Sequence, residues 1–156
     1  MLLKIQPAYD ELDKVRELFV EYQTTMGLDL CFQNFEDELA FLPGKYAEPQ
    51  GRLYIATFDG SLAGCIAVRP FGGGACEMKR LYVRPQFRAL GVGRALAEQA
   101  INDARHIGYA RMLLDTLSSM KGAIALYRKL GFTDIEPYYY NPGDNVVYLG
   151  LALGRD

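Results

Sequence analysis

The stretch of residues 76–115 constrains the fold more than any other part of this chain. It opens with a segment of strand length at 76–83 that Pro85 closes, and it ends with a compact apolar strand at 111–115. Between them, apolar residues recur every three or four positions from Gly91 to Gly108, which predicts an amphipathic helix. Such a strand–helix–strand unit normally places its two strands parallel in one sheet.

Antiparallel strands are predicted on both sides of this unit. Asp59-Gly60 is a strong hairpin signal between strand-like segments at 53–58 and 62–69. A short strand at 2–5, two helices in the first 44 residues, a helix at 119–130 and two last strands at 133–136 and 146–153 complete the pattern. The fold class is therefore mixed α/β, with a mostly antiparallel sheet, one central parallel pair and flanking helices.

Two local features of the sequence add detail to the predicted helices and strands. Asn34, followed by three acidic residues within four positions, is expected to cap the second helix with its side chain. The strand at 76–83 does not alternate cleanly between polar and apolar residues, which a β-bulge or a functional surface would explain.

Length and composition exclude several classes of protein. The 156 residues, half of them hydrophobic and 23% charged, predict one folded domain, 1–156, rather than a disordered or fibrous chain. No apolar run approaches the roughly 20 residues that cross a bilayer, so no membrane association is expected. Cys31, Cys65 and Cys76 lack CxxC spacing and suggest reduced thiols in a cytoplasmic protein without a metal site.

Charge is distributed unevenly along the chain. Residues 1–50 hold four basic and ten acidic side chains, whereas residues 79–94 hold five basic side chains and no acid. Duplex-binding domains are usually basic overall, and this chain has a net charge of −2. A small anion is therefore a better partner for the basic segment than nucleic acid.

The segment from Arg88 to Arg94 can form an anion-binding loop. Gly91 and Gly93 let backbone N–H groups turn toward one point at a helix N-terminus, where the dipole favours negative charge, and Arg88 can bind a phosphate with two donors. A P-loop is excluded because no Gly-Lys-Ser/Thr follows. A Rossmann site is disfavoured because Leu96 stands where its third glycine belongs.

These residues resemble the GNAT superfamily of acyl-CoA-dependent N-acetyltransferases. Its central motif, a strand followed by Q/R-x-x-G-x-G/A, is matched by residues 81–85 and by Arg88 to Gly93. Its next motif is matched by residues 123–132, which include Tyr127. The order of predicted elements is also the family's order, so the resemblance covers essentially the whole chain.

The resemblance implies a site for acetyl-CoA between the two central strands. The pantetheine arm would pair with the backbone along Leu81, Tyr82 and Val83. The pyrophosphate would lie on the N–H groups of the loop formed by Arg88, Ala89, Leu90, Gly91, Val92, Gly93 and Arg94. One departure concerns an asparagine that many relatives carry seven residues before the motif tyrosine, because Met120 stands there, with Ser118 and Ser119 as possible substitutes.

The resemblance also implies two catalytic residues. An amine attacks a thioester only when it is neutral, and the departing thiolate needs an acid. Tyr127 is the candidate acid, since a phenol with a pKa near about 10 keeps its proton at neutral pH. Glu77 is the candidate base, although a surface glutamate paired with Lys79 or Arg80 is an equally good interpretation. A backbone N–H near Leu81 or Tyr82 would polarise the thioester carbonyl.

Several other residues have both a structural and a functional interpretation. The cysteines lack an evident base, so a covalent acyl-enzyme is not expected, and His106 is assigned to the end of a helix. Tyr138, Tyr139 and Tyr140 form either a packed rim or an aromatic wall around the acceptor. The early acidic residues either attract a cationic amine or only solvate the surface.

The sequence leaves open whether the protein is catalytic and whether it forms a homodimer. An acetyltransferase acting on a small-molecule or peptide amine is the first hypothesis, and a non-catalytic acyl-CoA sensor is the alternative. The apolar last strand could pair across a homodimer. Nothing in the sequence selects the acceptor.

Overall fold

The helices and strands of the protein follow the predicted order. The computed structural model describes residues 2–26, 34–140 and 145–154. The strands are β1 (Leu3–Pro7), β2 (Arg52–Phe58), β3 (Ser61–Gly72), β4 (Ala75–Val83), β5 (Arg111–Leu117), β6 (Thr133–Asp134) and β7 (Val146–Ala152). The helices are α1 (Leu12–Met26), α2 (Phe35–Ala40), α3 (Val92–Ile107) and α4 (Lys121–Lys129), with short 3₁₀ turns at Gly44–Tyr46 and Pro85–Phe87.

All seven strands form one sheet in the order β1-β2-β3-β4-β5-β7-β6. Only the central pair, β4 and β5, is parallel, and every other neighbouring pair is antiparallel. The predicted crossover through α3, the hairpin at Asp59-Gly60 and the final antiparallel pair are all confirmed. The fold class predicted from the sequence is therefore correct.

Each face of the sheet carries its own hydrophobic core. On one face, α3 and α4 pack on the sheet through residues such as Leu96, Ala100 and Tyr127. On the other face, α1 and α2 pack through Leu18, Phe19 and Phe35. The two cores bury the apolar stripes of the helices that the sequence periodicity predicts, and they hold the central strands rigidly between them.

The irregular alternation in β4 is caused by a bulge. Tyr82 pairs with Cys65 and Lys79 pairs with Ala67, so two residues of β4 lie opposite one residue of β3. Arg80 occupies the bulge with a left-handed backbone (φ 60°). The bulge places Lys79, Arg80 and Tyr82 on the face that α1 and α2 cover, which an uninterrupted strand could not do.

The predicted side-chain cap at the start of α2 is wrong. Asn34 precedes α2, but its backbone is left-handed (φ 58°) and its side chain makes no capping hydrogen bond to the described residues. The acidic side chains of Glu36, Asp37 and Glu38 compensate the helix dipole instead.

Within the described ranges, no helix is long and apolar enough to cross a bilayer.

Candidate functional site

The two central strands separate halfway along their length. The pairing of β4 with β5 covers only Ala75, Cys76 and Glu77, and the last partners are Glu77 and Leu113. Both strands continue beyond this point, to Val83 and Leu117. Among the described residues, the later part of β4 has no strand partner on its β5 side. An extended ligand can therefore pair with the backbone along this open edge of β4, including Leu81, Tyr82 and Val83, as an additional strand.

The glycine-containing loop lies at the end of this edge. Ala89 (φ 64°) and Gly91 (φ 86°) both have left-handed backbones, and the residues from Arg88 to Gly91 are exposed. Gly91 precedes α3, and in the part of the chain that is described no side chain caps this helix end. The first N–H groups of α3, including those of Val92, Gly93 and Arg94, are therefore available to an anion.

Arg88 is oriented by the strand that precedes the loop. Its Nε donates a hydrogen bond of 3.0 Å to the carbonyl oxygen of Val83. This contact holds the exposed guanidinium between the end of β4 and the loop, where it can reach a phosphate group. The loop, Arg88 and the open edge of β4 fit a coenzyme with a pyrophosphate and an extended arm.

Tyr127 is buried on the α4 side of the site. Its side chain is 7% exposed and packs edge-on against Phe132, with ring centroids 5.7 Å apart. Burial raises the pKa of Tyr127 above the usual value of a phenol, so the hydroxyl stays protonated at neutral pH. Met120 stands just before α4 and provides no side-chain cap within the described residues.

Glu77 lies on β4 at the point where the strands separate, and its side chain is 1% exposed. Arg69 binds Oε1 at 2.8 Å, and the Tyr138 hydroxyl donates to Oε2 at 2.6 Å. Lys79 Nζ lies 3.8 Å from Oε1. The interpretation as a surface glutamate is therefore wrong, because the carboxylate is buried. Of its two predicted partners, Lys79 lies at ion-pair distance, and Arg69 and Tyr138 make the shorter contacts.

The three consecutive tyrosines have different environments. Tyr138 binds Glu77 on β4, and Tyr139 donates a hydrogen bond of 2.6 Å to Asp115 on β5. Both rings also pack against Tyr148, whereas Tyr140 is 82% exposed. The segment therefore links the two separating strands. Neither alternative derived from the sequence anticipated these two hydrogen bonds.

A cavity of about 470 Å³ lies on the α2 side of the sheet, next to Glu77. A volume of this size is in the range of small-molecule sites. The cavity is lined by residues of α2, of the turn after it and of the central strands, namely Asn34, Asp37, Glu38, Phe41, Pro43, Gly44, Lys45, Tyr46, Arg69, Lys79, Arg80 and Tyr139. The sequence does not single out Arg69, because its role depends on the ion pair with Glu77 on the next strand.

The early acidic residues form ion pairs with the basic segment of β4. Arg80 binds Glu38 with two hydrogen bonds of 2.9 and 3.0 Å. Arg84 binds both Glu17 and Glu21, and this contact lowers the pKa of Glu21. Ion pairs between the acidic early residues and β4 and the residue after it thus connect α1 and α2 to the sheet. Two of the five basic residues at positions 79–94, Arg80 and Arg84, form these pairs.

The remaining candidate residues are the cysteines and His106. Cys65 and Cys76 are buried free thiols; burial raises both pKa values, that of Cys76 to about 12. Cys31 lies outside the described residues. His106 Nδ1 donates a 2.8 Å hydrogen bond to the carbonyl oxygen of Asn102, in the last turn of α3. Among the described residues, no group of three His, Cys, Asp or Glu side chains could hold a metal ion.

Comparisons with known proteins agree on one family. The sequence model of the acetyltransferase (GNAT) family matches residues 12–132. An uncharacterized N-acetyltransferase of Schizosaccharomyces pombe is 46% identical over 147 residues, which are 93% of this chain and 90% of that protein.

Solved structures share the fold at lower sequence identity. A GNAT-family acetyltransferase from Staphylococcus aureus Mu50 superposes with a TM-score of 0.81 at 16% identity, over 98% of this chain and 100% of that chain. YncA from Salmonella typhimurium, solved with its cofactor acetyl-CoA, has a TM-score of 0.75 at 19% identity, over 100% of this chain and 96% of that chain.

Proposed function

Because the chain belongs to the acetyltransferase (GNAT) family and is an N-acetyltransferase, we propose that it moves an acetyl group from acetyl-CoA to a primary amine by direct attack. The observation that carries this proposal is the separation of β4 from β5 directly beside the open N-terminus of α3. This arrangement offers an unpaired strand edge and an anion site within one groove. A thioester carrier with a pyrophosphate needs both.

The backbone supplies most of the proposed coenzyme site. The open edge of β4 at Leu81 and Val83 pairs with the pantetheine arm, and the N–H groups from Arg88 to Arg94 hold the pyrophosphate. Arg88 adds a guanidinium whose orientation is fixed by the Val83 carbonyl. Bound acetyl-CoA supplies the activated thioester carbonyl, and a backbone N–H near Leu81 or Tyr82 polarises it.

Glu77 is the proposed base, and it acts through Tyr138. With 1% of its side chain exposed, Glu77 does not meet the acceptor directly. The Tyr138 hydroxyl donates a hydrogen bond to Oε2 of Glu77, so its proton can pass to the carboxylate while the phenol oxygen accepts one from the ammonium group. The acceptor is left as a neutral amine, and no proton is gained or lost overall.

Tyr127 is the proposed acid for the departing thiolate. Burial favours its neutral form, which is the form that can donate. The Cys65 and Cys76 thiols stay protonated and buried, so they do not favour a covalent acyl-enzyme. Direct transfer within one ternary complex is the mechanism that these contacts support.

The proposal is tested by mixing the protein with acetyl-CoA and a panel of primary amines and measuring thiol release. We expect release that depends on both substrates, together with calorimetric binding of acetyl-CoA. The alternative function, an acyl-CoA sensor, predicts binding without turnover on any amine. Absence of both heat and turnover would remove the coenzyme site itself.

A further inference from the structure

Tyr139 forms the part of the cavity wall that lies toward β5. The other described lining residues all belong to positions 34–80, that is, to α2 and its neighbouring turns, β3 and β4. Tyr139 comes from the segment that precedes β7, and its hydroxyl donates a hydrogen bond of 2.6 Å to Asp115 on β5. Within the described part of the chain, a single side chain therefore bounds the cavity on this side.

Asp115 lies beyond the point where β4 and β5 separate. The last pair of these strands is Glu77 and Leu113, and Asp115 follows two residues later. Leu114, the residue before it, packs in the core formed with α3 and α4. Because the side chains of a strand alternate between faces, Asp115 lies on the opposite face, which is also the face of the cavity. Tyr139 therefore stands between the cavity and the gap in which the coenzyme arm is proposed to pair with β4.

The Tyr139 ring is held in place from several directions. Besides the hydrogen bond to Asp115, its backbone carbonyl accepts a hydrogen bond of 3.2 Å from the Tyr148 hydroxyl. The ring packs against those of Tyr138 and Tyr148, with centroids 5.3 and 6.2 Å away. Tyr148 is the partner of Asp115 in the β5–β7 register, so both hydrogen bonds attach Tyr139 to neighbouring strands of the sheet. Moving the ring would break these contacts, and it therefore limits the space in the cavity.

We propose that Tyr139 is a specificity-determining residue that limits the bulk of the acceptor next to its amine. The proposal rests on the function proposed above, in which the amine must reach a thioester in the gap between β4 and β5. The amine end of the acceptor then lies beside Tyr139, and the rest of the molecule extends toward the turn after α2. An amine on an unbranched carbon fits beside the fixed ring, whereas a substituent on that carbon collides with it. The acceptor class is therefore an unbranched primary amine, R–CH2–NH2.

The test compares acceptors that differ by one methyl group. Each unbranched amine of the panel is paired with the analogue that carries a methyl group on the amine-bearing carbon, for example benzylamine with α-methylbenzylamine. Thiol release is measured at saturating acetyl-CoA. We expect the best unbranched amine to exceed its branched partner by at least about tenfold in kcat/KM, because overpacking against a fixed ring is costly. Equal rates, or faster turnover of the branched amine, would overturn the proposal.

A set of variants assigns the limit to Tyr139. The measured quantity is the ratio of kcat/KM for the unbranched amine to that for the branched amine, in which a general loss of activity cancels. Tyr139→Ala should lower this ratio at least about fivefold, and Tyr139→Leu, a milder truncation, should lower it less. Tyr139→Phe keeps the ring and should stay within about twofold of the wild type. Tyr140→Ala, at an exposed position of the same segment, should leave the ratio unchanged. An unchanged ratio in both truncations would show that Tyr139 does not limit the acceptor.

The outcomes also separate this proposal from the function on which it rests. Turnover of branched and unbranched amines at equal rates would retain the acetyltransferase and reject the limit set by Tyr139. Binding of acetyl-CoA without turnover of any amine would reject both. Calorimetric binding to the protein loaded with coenzyme A that is tighter for the unbranched amine, with the difference lost in Tyr139→Ala, would support the proposal independently of the rate.

Discussion

The two halves of the groove are built in different ways. The proposed coenzyme half consists mainly of backbone, to which Arg88 adds a guanidinium: the open edge of β4, the left-handed positions Ala89 and Gly91, and the N-terminus of α3. The acceptor half consists of side chains, in which Glu77 is bound by Arg69 and Tyr138 and Arg80 is bound by Glu38. Most side-chain substitutions in the coenzyme half should therefore have little effect on activity. In the acceptor half, replacing even one side-chain atom should lower activity.

The largest effect is expected from Glu77→Gln. The amide keeps the volume and can still contact Arg69 and Tyr138, but it cannot take up the proton, so kcat should fall about 100-fold or more. The control is Glu98→Gln, which removes an exposed carboxylate from a surface pair with Arg94. Steady-state kinetics and a thermal melt of each variant measure the effect. An unchanged kcat would show that Glu77 only supports the structure.

Tyr127→Phe should produce the next largest loss. Removing the hydroxyl removes the proposed acid, so kcat should fall by at least about tenfold while calorimetric binding of acetyl-CoA is retained. Tyr109→Phe is the matched control, because its hydroxyl binds the backbone of Gln50 away from the groove. If turnover were unaffected in Tyr127→Phe, this tyrosine would have only a packing role.

The Tyr127 prediction extends to pH. Because burial raises its pKa, the hydroxyl of the folded protein loses its proton only above about pH 10, the usual value for a phenol. The acid form required for turnover is therefore present throughout the neutral and mildly alkaline range. The wild-type rate should show no loss attributable to this group below about pH 10.

Tyr138→Phe should have a smaller effect. Glu77 would lose one hydrogen-bond donor, and a water molecule would have to replace the hydroxyl as its connection to the acceptor, so kcat should fall about fivefold. Steady-state kinetics measures the loss. Tyr140→Phe, at an exposed position of the same segment, should leave kcat unchanged. A loss as large as that of Glu77→Gln would show that no water replaces the hydroxyl.

The same contrast explains what the sequence can predict. The coenzyme half is encoded by one contiguous segment, since Arg88, Gly91 and Gly93 lie between a predicted strand and a predicted helix. The glycine spacing, the helix start and the neighbouring parallel strand are local signals. They locate the groove before any tertiary contact is known.

The acceptor half depends on contacts between distant segments. Tyr138 lies 61 positions from Glu77, and Glu38 lies 42 positions from Arg80. Irregular alternation in β4 indicated a bulge or a functional surface, and only the strand register shows that a bulge puts Arg80 on the same face as Glu77 and Lys79. Pairing of this kind follows from the register of the sheet and the packing of α2, which residue spacing alone does not fix.

The smallest effects are expected in the coenzyme loop. Leu90→Ala removes an exposed side chain and leaves the backbone N–H in place, so KM for acetyl-CoA should change by less than about twofold. Gly91→Ala puts a Cβ on a left-handed residue (φ 86°) and should cost about 1 kcal/mol, raising KM severalfold if the loop shifts. A large KM change in Leu90→Ala would mean that the loop side chains beyond Arg88 also bind the coenzyme, and the contrast between the two halves would then be lost.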